Sequence, residues 1–268
     1  MKSESIELQS LCENYLEVSQ DKAKKQISSL NENKIGRMNL NYSKRVGTVL
    51  FETYTKLVFK FYVRLKFTGQ ENIPTDSSFI ICSNHNSHMD SAILIVAAKK
   101  HFHEVGLLAA TDYWFGPREN KFIHRLMNLV PVDRKRGRCP TFKQTLEISD
   151  KFLMANKRAL VIFPEGSRSK DGKLQKSFKT GVGVIALALN LPILPVYISG
   201  SHKAWPKGSF FMRPGKINVN LGSVIQPSEV LKKTINPTEF KQNIQNYKNE
   251  TRELTVCIEN SILKLNKI

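Results

Sequence analysis

Short apolar runs alternate with longer amphipathic stretches along most of this chain. Phe79-Ile80-Ile81-Cys82 follows the turn signal Gly69-Gln70-Glu71-Asn72-Ile73-Pro74 and reads as a buried strand. A helical pattern resumes near Ser91-Ala92-Ile93-Leu94-Ile95. The series continues with Val105-Gly106-Leu107-Leu108 as strand, 142–154 as helix, Ala159-Leu160-Val161-Ile162-Phe163 as strand, 181–189 as helix and Ile193-Leu194-Pro195-Val196-Tyr197-Ile198 as strand. Strands alternating with helices predict an α/β fold: a mixed, mostly parallel sheet covered by helices.

Both ends read as helical. Residues 1–40 are polar, with Ile6, Leu8, Leu11, Tyr15 and Leu16 spaced loosely like a helix face, and form an N-terminal extension to a domain over 41–268. Within 42–66 a helical stripe runs through Leu50, Tyr54, Leu57, Val58, Phe61 and Leu65, while Lys56, Lys60 and Arg64 follow one another at i+4. Such a helix suits a lipid interface, and Phe51, Phe59 and Val63 outside the stripe favour that reading. The alternative is a stripe packed on the fold with the basic residues as its solvated edge. Over 236–268, Asn236, Pro237 and Glu239 form a start signal ahead of Phe240, Ile244, Tyr247, Leu254, Ile258, Ile262 and Leu265, which predicts one long C-terminal helix.

Composition narrows the class. The chain has 268 residues, of which 41% are hydrophobic, enough for one large core. Lys plus Arg number 41 against 23 Asp plus Glu, a net charge of +18 that attracts phosphate on nucleic acid, anionic lipid or a metabolite. Cys12, Cys82, Cys139 and Cys257 make no C-x-x-C pair, which fits a reducing, cytoplasmic setting. The N-terminus lacks a signal-peptide core and no run is long enough to span a bilayer, so membrane contact is expected to be peripheral.

The candidate chemistry clusters after the predicted strands. In Asn84-His85-Asn86-Ser87-His88-Met89-Asp90, His85 follows a strand and Asp90 opens the next helix. An imidazole suits proton abstraction near neutrality, and a carboxylate on its far nitrogen fixes the tautomer and stabilises the imidazolium. A metal site from His85, His88 and Asp90, or from His101-Phe102-His103-Glu104, is the competing reading of the same residue types.

Phe163-Pro164-Glu165-Gly166-Ser167-Arg168 also follows a strand, so its polar residues emerge at the edge where open α/β sheets bind ligands. Gly166 permits a tight turn and Arg168 can fork onto a phosphate; the plainer alternative is a strand-ending turn with a solvated arginine. Val132-Asp133-Arg134-Lys135-Arg136-Gly137-Arg138 is a third basic segment, with a solvated basic loop as its plain reading.

These segments, in this order, resemble the four blocks of the glycerolipid acyltransferase family, which includes lysophosphatidate and glycerol-3-phosphate acyltransferases. The likeness covers roughly residues 65–230. Asn84, His85, Ser87 and Asp90 match N-H-x-S-x-x-D, and 163–168 match the block F-P-E-G-T-R-S with Ser167 in place of threonine. Pro131, Val132, Asp133 and Arg134 match the second block, with Asn128 where glycine is usual, a departure expected to reshape the acceptor pocket. Leu191-Pro192-Ile193-Leu194-Pro195-Val196, after Phe178-Lys179-Thr180-Gly181, resembles the fourth.

The resemblance implies transfer of an acyl chain from acyl-CoA or acyl-carrier protein to the hydroxyl of lysophosphatidate, or of glycerol 3-phosphate or another lysolipid, with no metal, no cofactor and no acyl-enzyme. His85 is then the base and Asp90 its partner, while Arg134, Glu165, Gly166, Ser167 and Arg168 form the acceptor side. Lys56, Lys60 and Arg64 are expected to meet an anionic membrane at its cytoplasmic face. From a different class, the charge also suits a non-catalytic membrane- or nucleic-acid-binding protein, but no zinc-finger spacing or aromatic-basic RNA motif supports a nucleic-acid partner.

Overall fold

A computed structural model describes residues 42–114, 127–133, 141–154, 157–175 and 177–267. The N-terminal extension over 1–40, and Arg134 among the expected site residues, lie outside them. Seven strands carry the fold: β1 (Leu65–Thr68), β2 (Phe79–Ser83), β3 (Val105–Ala110), β4 (Asn128–Val132), β5 (Ala159–Ile162), β6 (Ile193–Ser199) and β7 (Ile217–Leu221). They form one sheet in the order β1-β7-β6-β2-β5-β3-β4. The β6–β7 pair is antiparallel and every other pair is parallel, so β4, β3, β5, β2 and β6 all bring their carboxyl ends to one edge.

The two central strands explain their own sequences. Every residue of β2 and β5 is buried, because helices cover both faces of the sheet. Phe79 and Ile81 face one cluster with Val161, Leu194, Ile93 and Leu94. Ile80 and Cys82 face the other with Leu160, Ile162, Ile185 and Ile258. The helices that supply these layers are α1 (Tyr42–Leu57), α2 (Asp90–Ala97), the short α3 (Thr111–Trp114), α4 (Phe142–Leu153), α5 (Gly181–Leu189), the short α6 (Ser201–Ala204) and α7 (Pro227–Leu231), then α8 (Pro237–Gln242) and α9 (Lys248–Leu265). None of those described is long and apolar enough to cross a membrane.

α1 continues into one π-helical turn over Val58–Tyr62 and ends at Arg64, whose φ of 47° turns the chain into β1. Leu65 and Lys66 therefore belong to the sheet, whereas the sequence places them on the helix. Phe59 and Val63 are buried in the core and Phe51 packs edge-on against Phe102 at 5.5 Å. Glu52 fastens the same inner side: its carboxylate accepts from the Phe102 amide at 2.9 Å and meets His101 Nδ1 at 2.9 Å. The residues that sequence reasoning counted towards lipid thus face the protein. Leu50, Tyr54, Leu57 and Phe61 of the expected stripe are left exposed.

The C-terminal segment is two helices rather than one. Asn236 caps α8 through its side-chain oxygen, as its position suggests, but at Asn243 φ −128° and ψ 41° leave the helical region. A 3-10 turn over Ile244–Tyr247 then leads into α9. Across that break Phe240 of α8 and Leu254, Ile258 and Ile262 of α9 all reach the same core layer.

Candidate active site

The site starts where β2 runs out. Asn84 is buried, and its side-chain amide behaves as a strand residue would: Oδ1 accepts from the Ile198 amide at 2.8 Å and Nδ2 donates to the Ile198 carbonyl at 2.9 Å. That clip fixes the end of β2 against β6 and aims the next residue, His85.

Asp90 is fully buried at the start of α2, where a carboxylate is favoured by the unpaired amides and the helix dipole. Its Oδ2 accepts from the amides of Asn86 at 2.6 Å and Ser87 at 2.7 Å and stands 3.0 Å from His85 Nδ1. A carboxylate can only accept, so Nδ1 carries the ring proton and Nε2 keeps a free lone pair. The imidazole also stacks on Phe163, with centroids 3.9 Å apart and planes inclined by 13°.

The loop after β5 holds His85 from the other side. Glu165 Oε1 accepts from the His85 amide at 2.7 Å, and the Ser169 amide donates to the His85 carbonyl at 2.7 Å. Glu165 Oε2 accepts from the Gln175 amide at 3.2 Å. Burial raises the Glu165 carboxyl from an ordinary 4.5 to about 7, against the lowering effect of those two amides and with a smaller push from the Asp90 charge. Its role here is to hold backbone.

Gly166 sits at φ 71°, a conformation that selects glycine, and a Cβ there would come within 2.7 Å of the movable end of Lys179 at Nζ. Ser167 is exposed on this loop, its carbonyl accepting from Gln175 Nε2 at 3.2 Å. Arg168 reaches back to the first motif: its guanidinium meets the His88 ring, donates to Tyr113 Oη at 3.0 Å and lies 5.3 Å from the Tyr113 centroid. Burial first, and then the Arg168 charge, lower the His88 pKa and favour a neutral ring.

Of the expected site residues, the fold therefore brings His85, Asp90, Glu165, Gly166 and Arg168 together. His88 is engaged with Arg168, and His101 with Glu52, rather than with a common ion site; among the described residues no three His, Cys, Asp or Glu side chains are arranged so that they could hold a metal ion. Lys56, Lys60 and Arg64 remain exposed on and just beyond α1. Asn128 opens β4 opposite Gly106 and donates to the carbonyls of Phe102 and Val105, at the amino end of its strand. It faces away from the His85 edge, so the expected effect on an acceptor pocket is corrected to a role in anchoring β3 and β4.

Sequence reasoning left out Phe163 as the stacking partner of His85, and Tyr113, Gln175 and Lys179. Phe163 was visible as the last residue of a strand beside Pro164, but no periodicity reveals a stack across β2 and β5.

Residues 64–199, half of the chain, match the family model described as Acyltransferase. The chain belongs to the acyltransferase family. Among curated relatives, a 1-acyl-sn-glycerol-3-phosphate acyltransferase of Limnanthes douglasii is 31% identical over 176 residues, covering 65% of this chain and 59% of that protein. This acyltransferase-family chain thus matches about three fifths of that relative's length. Proteins of the same name from Borreliella burgdorferi and Saccharomyces cerevisiae are 30% and 32% identical, covering 56% of this chain in each case and 56% and 48% of their own lengths. The crystal structure of the 1-acyl-sn-glycerophosphate acyltransferase PlsC from Thermotoga maritima shares the fold, with a TM-score of 0.52 and 24% identity over 84% of this chain and 87% of that one.

Proposed function

We propose that this chain transfers a fatty acyl group from acyl-CoA or acyl-carrier protein to the free hydroxyl of 1-acylglycerol 3-phosphate, giving phosphatidate and a free thiol. The observation that carries the reading is the His85 Nδ1–Asp90 Oδ2 contact of 3.0 Å, with Nε2 left as the base. The names of the relatives, 1-acyl-sn-glycerol-3-phosphate acyltransferases, support the acceptor.

In this reading His85 Nε2 takes the proton of the acceptor hydroxyl as its oxygen attacks the thioester carbonyl. The tetrahedral intermediate collapses, the C–S bond breaks, and the imidazolium returns the proton to the departing thiolate. A positioned base contributes about 10²–10⁴ in rate, and Asp90 stabilises the imidazolium while it lasts. No metal or cofactor beyond the thioester is required. Arg168, near enough to touch His88, offers a guanidinium for the acceptor phosphate. Arg134 takes the second guanidinium role.

A lipid acceptor and product need a bilayer, and the exposed stripe of α1 with Lys56, Lys60 and Arg64 suits the anionic cytoplasmic face. The deciding experiment follows acyl transfer from a thioester to a panel of acceptors by the parent and by His85→Ala. Activity on lysophosphatidate that survives His85→Ala sinks the mechanism. Preference for glycerol 3-phosphate moves the acceptor, and tight nucleic-acid binding without acyl transfer favours the non-enzymatic class.

A further inference from the structure

We propose that the loop over 205–213 is a second lipid contact, which joins the exposed stripe of α1 in one bilayer-docking surface and is rooted on the catalytic motif. This rests on the reading of the chain as a membrane-surface enzyme.

Phe210 and Phe211 are 86% and 74% exposed, more than any other described aromatic side chain. They are not on a loose tether. Trp205 Nε1 donates to the Ser209 carbonyl at 2.9 Å, Ser209 Oγ to the Phe211 carbonyl at 2.9 Å, and the Arg213 amide to the Ala204 carbonyl at 2.8 Å. The two rings stand edge to face at 4.9 Å, beyond Gly208 with its φ of 89°. An ordered loop that projects two phenylalanines into water loses apolar burial that the fold could otherwise use, unless something covers them.

The loop meets α1 at Tyr62. Tyr62 Oη donates to the Met212 carbonyl at 3.1 Å, and the Gly215 amide donates back to the Tyr62 carbonyl at 3.4 Å. Two exposed apolar groups distant in sequence, Leu57 with Phe61 and Phe210 with Phe211, therefore flank one contact. Around them Lys60, Arg64, Lys207, Arg213 and Lys216 are exposed. No acidic residue occurs between Glu52 and Glu71 or between Asp171 and Glu229. Apolar side chains for the acyl boundary and a cationic surround for phosphate headgroups are the chemistry of an anionic bilayer surface. A protein partner would call for a lower density of one charge sign.

The root of the loop is the catalytic segment itself. Ser87 Oγ donates to the Trp205 carbonyl at 2.6 Å, Ser87 bridges Pro206, and the His88 ring lies 5.4 Å from that of Trp205. Docking the loop thus brings the bilayer next to the segment that holds His85.

The test compares the parent, Phe210→Ser with Phe211→Ser, and Leu57→Ser with Phe61→Ser by flotation on vesicles of phosphatidylglycerol and phosphatidylcholine. Removing two phenylalanine contacts weakens partitioning by about 10- to 100-fold. The thermal midpoint and the rate on a short-chain acceptor below its micellar concentration stay at parental values, while the rate on vesicle-embedded acceptor falls. A Phe211→Trp variant gives a second readout: excess fluorescence quenching by brominated lipid over the parent. Parental vesicle binding by the double phenylalanine variant, while the α1 variant loses it, overturns this inference and leaves the membrane reading standing. A parent that does not bind vesicles overturns both, and absence of excess quenching in Phe211→Trp overturns the loop contact alone.

Discussion

Asp90 holds His85 through the ring and through the turn that carries it: one carboxylate oxygen is 3.0 Å from Nδ1 and also accepts the Asn86 and Ser87 amides. Asp90→Asn keeps an acceptor for those donors but loses the charge that, in the proposed mechanism, stabilises the imidazolium. Acyl transfer is expected to fall by about 10²-fold or more with a change in stability of about 1 kcal/mol. Asp90→Ala also strands two amides and costs about 2 kcal/mol more. Initial rates and urea unfolding measure both; an Asp90→Asn variant at parental activity removes Asp90 from the mechanism.

Glu165 gives the protein a pH dependence of known sign. Its carboxyl rises from 4.5 to about 7 on folding, so its protonated form is the one the fold favours. The stability that this provides is fully present below pH 4.5 and is lost as pH climbs through 7. Between pH 5 and 8 the loss amounts to about 2–3 kcal/mol. Chemical unfolding across that range should show a slope in the parent that Glu165→Gln flattens; equal slopes would assign the dependence to other groups.

Gly166→Ala tests the turn after β5. The substitution meets an unfavourable φ of 71° and the Lys179 side chain at once. Lysine can swing aside, so the backbone sets the cost at about 1–2 kcal/mol. The expected result is a lower thermal midpoint together with a raised KM for acceptor, because Arg168 stands two residues on. A parental KM would separate the turn from acceptor binding.

Arg168→Lys retains charge but loses the planar fork that contacts His88 and Tyr113. KM for a phosphorylated acceptor is expected to rise about 10-fold with kcat little changed, the pattern of lost uniform binding. A non-phosphorylated lysolipid assayed in parallel should show no such change. If both acceptors suffer equally, Arg168 acts on the fold of the site and not on phosphate.

The sequence made the centre of the molecule readable because β2, β5 and β6 are buried on both faces and so spell continuous apolar runs. Their motifs followed as the polar residues just beyond. Less visible was what depends on pairing across distance. β7 returns antiparallel to β6 after α6 and the loop that follows it, and Gly200, at φ 88°, lets the Lys216 backbone approach so closely that a Cβ would lie 2.3 Å from its carbonyl oxygen. The two sides of α1 could not be assigned from spacing, since Phe59 and Phe61 differ in address by a partner and not by chemistry. Nor could Asn128 be placed at the amino end of β4 before β3 was known to pair with it.

The paired clamp on His85, an amide given to Glu165 and a carbonyl taken by Ser169, makes the placement of this ring, the proposed base, a product of two segments 80 residues apart. Those two amides, of His85 and Ser169, exchange their hydrogens with solvent only when the segments part. Their exchange rates therefore time the opening and reassembly of the proposed catalytic centre, independently of any substrate.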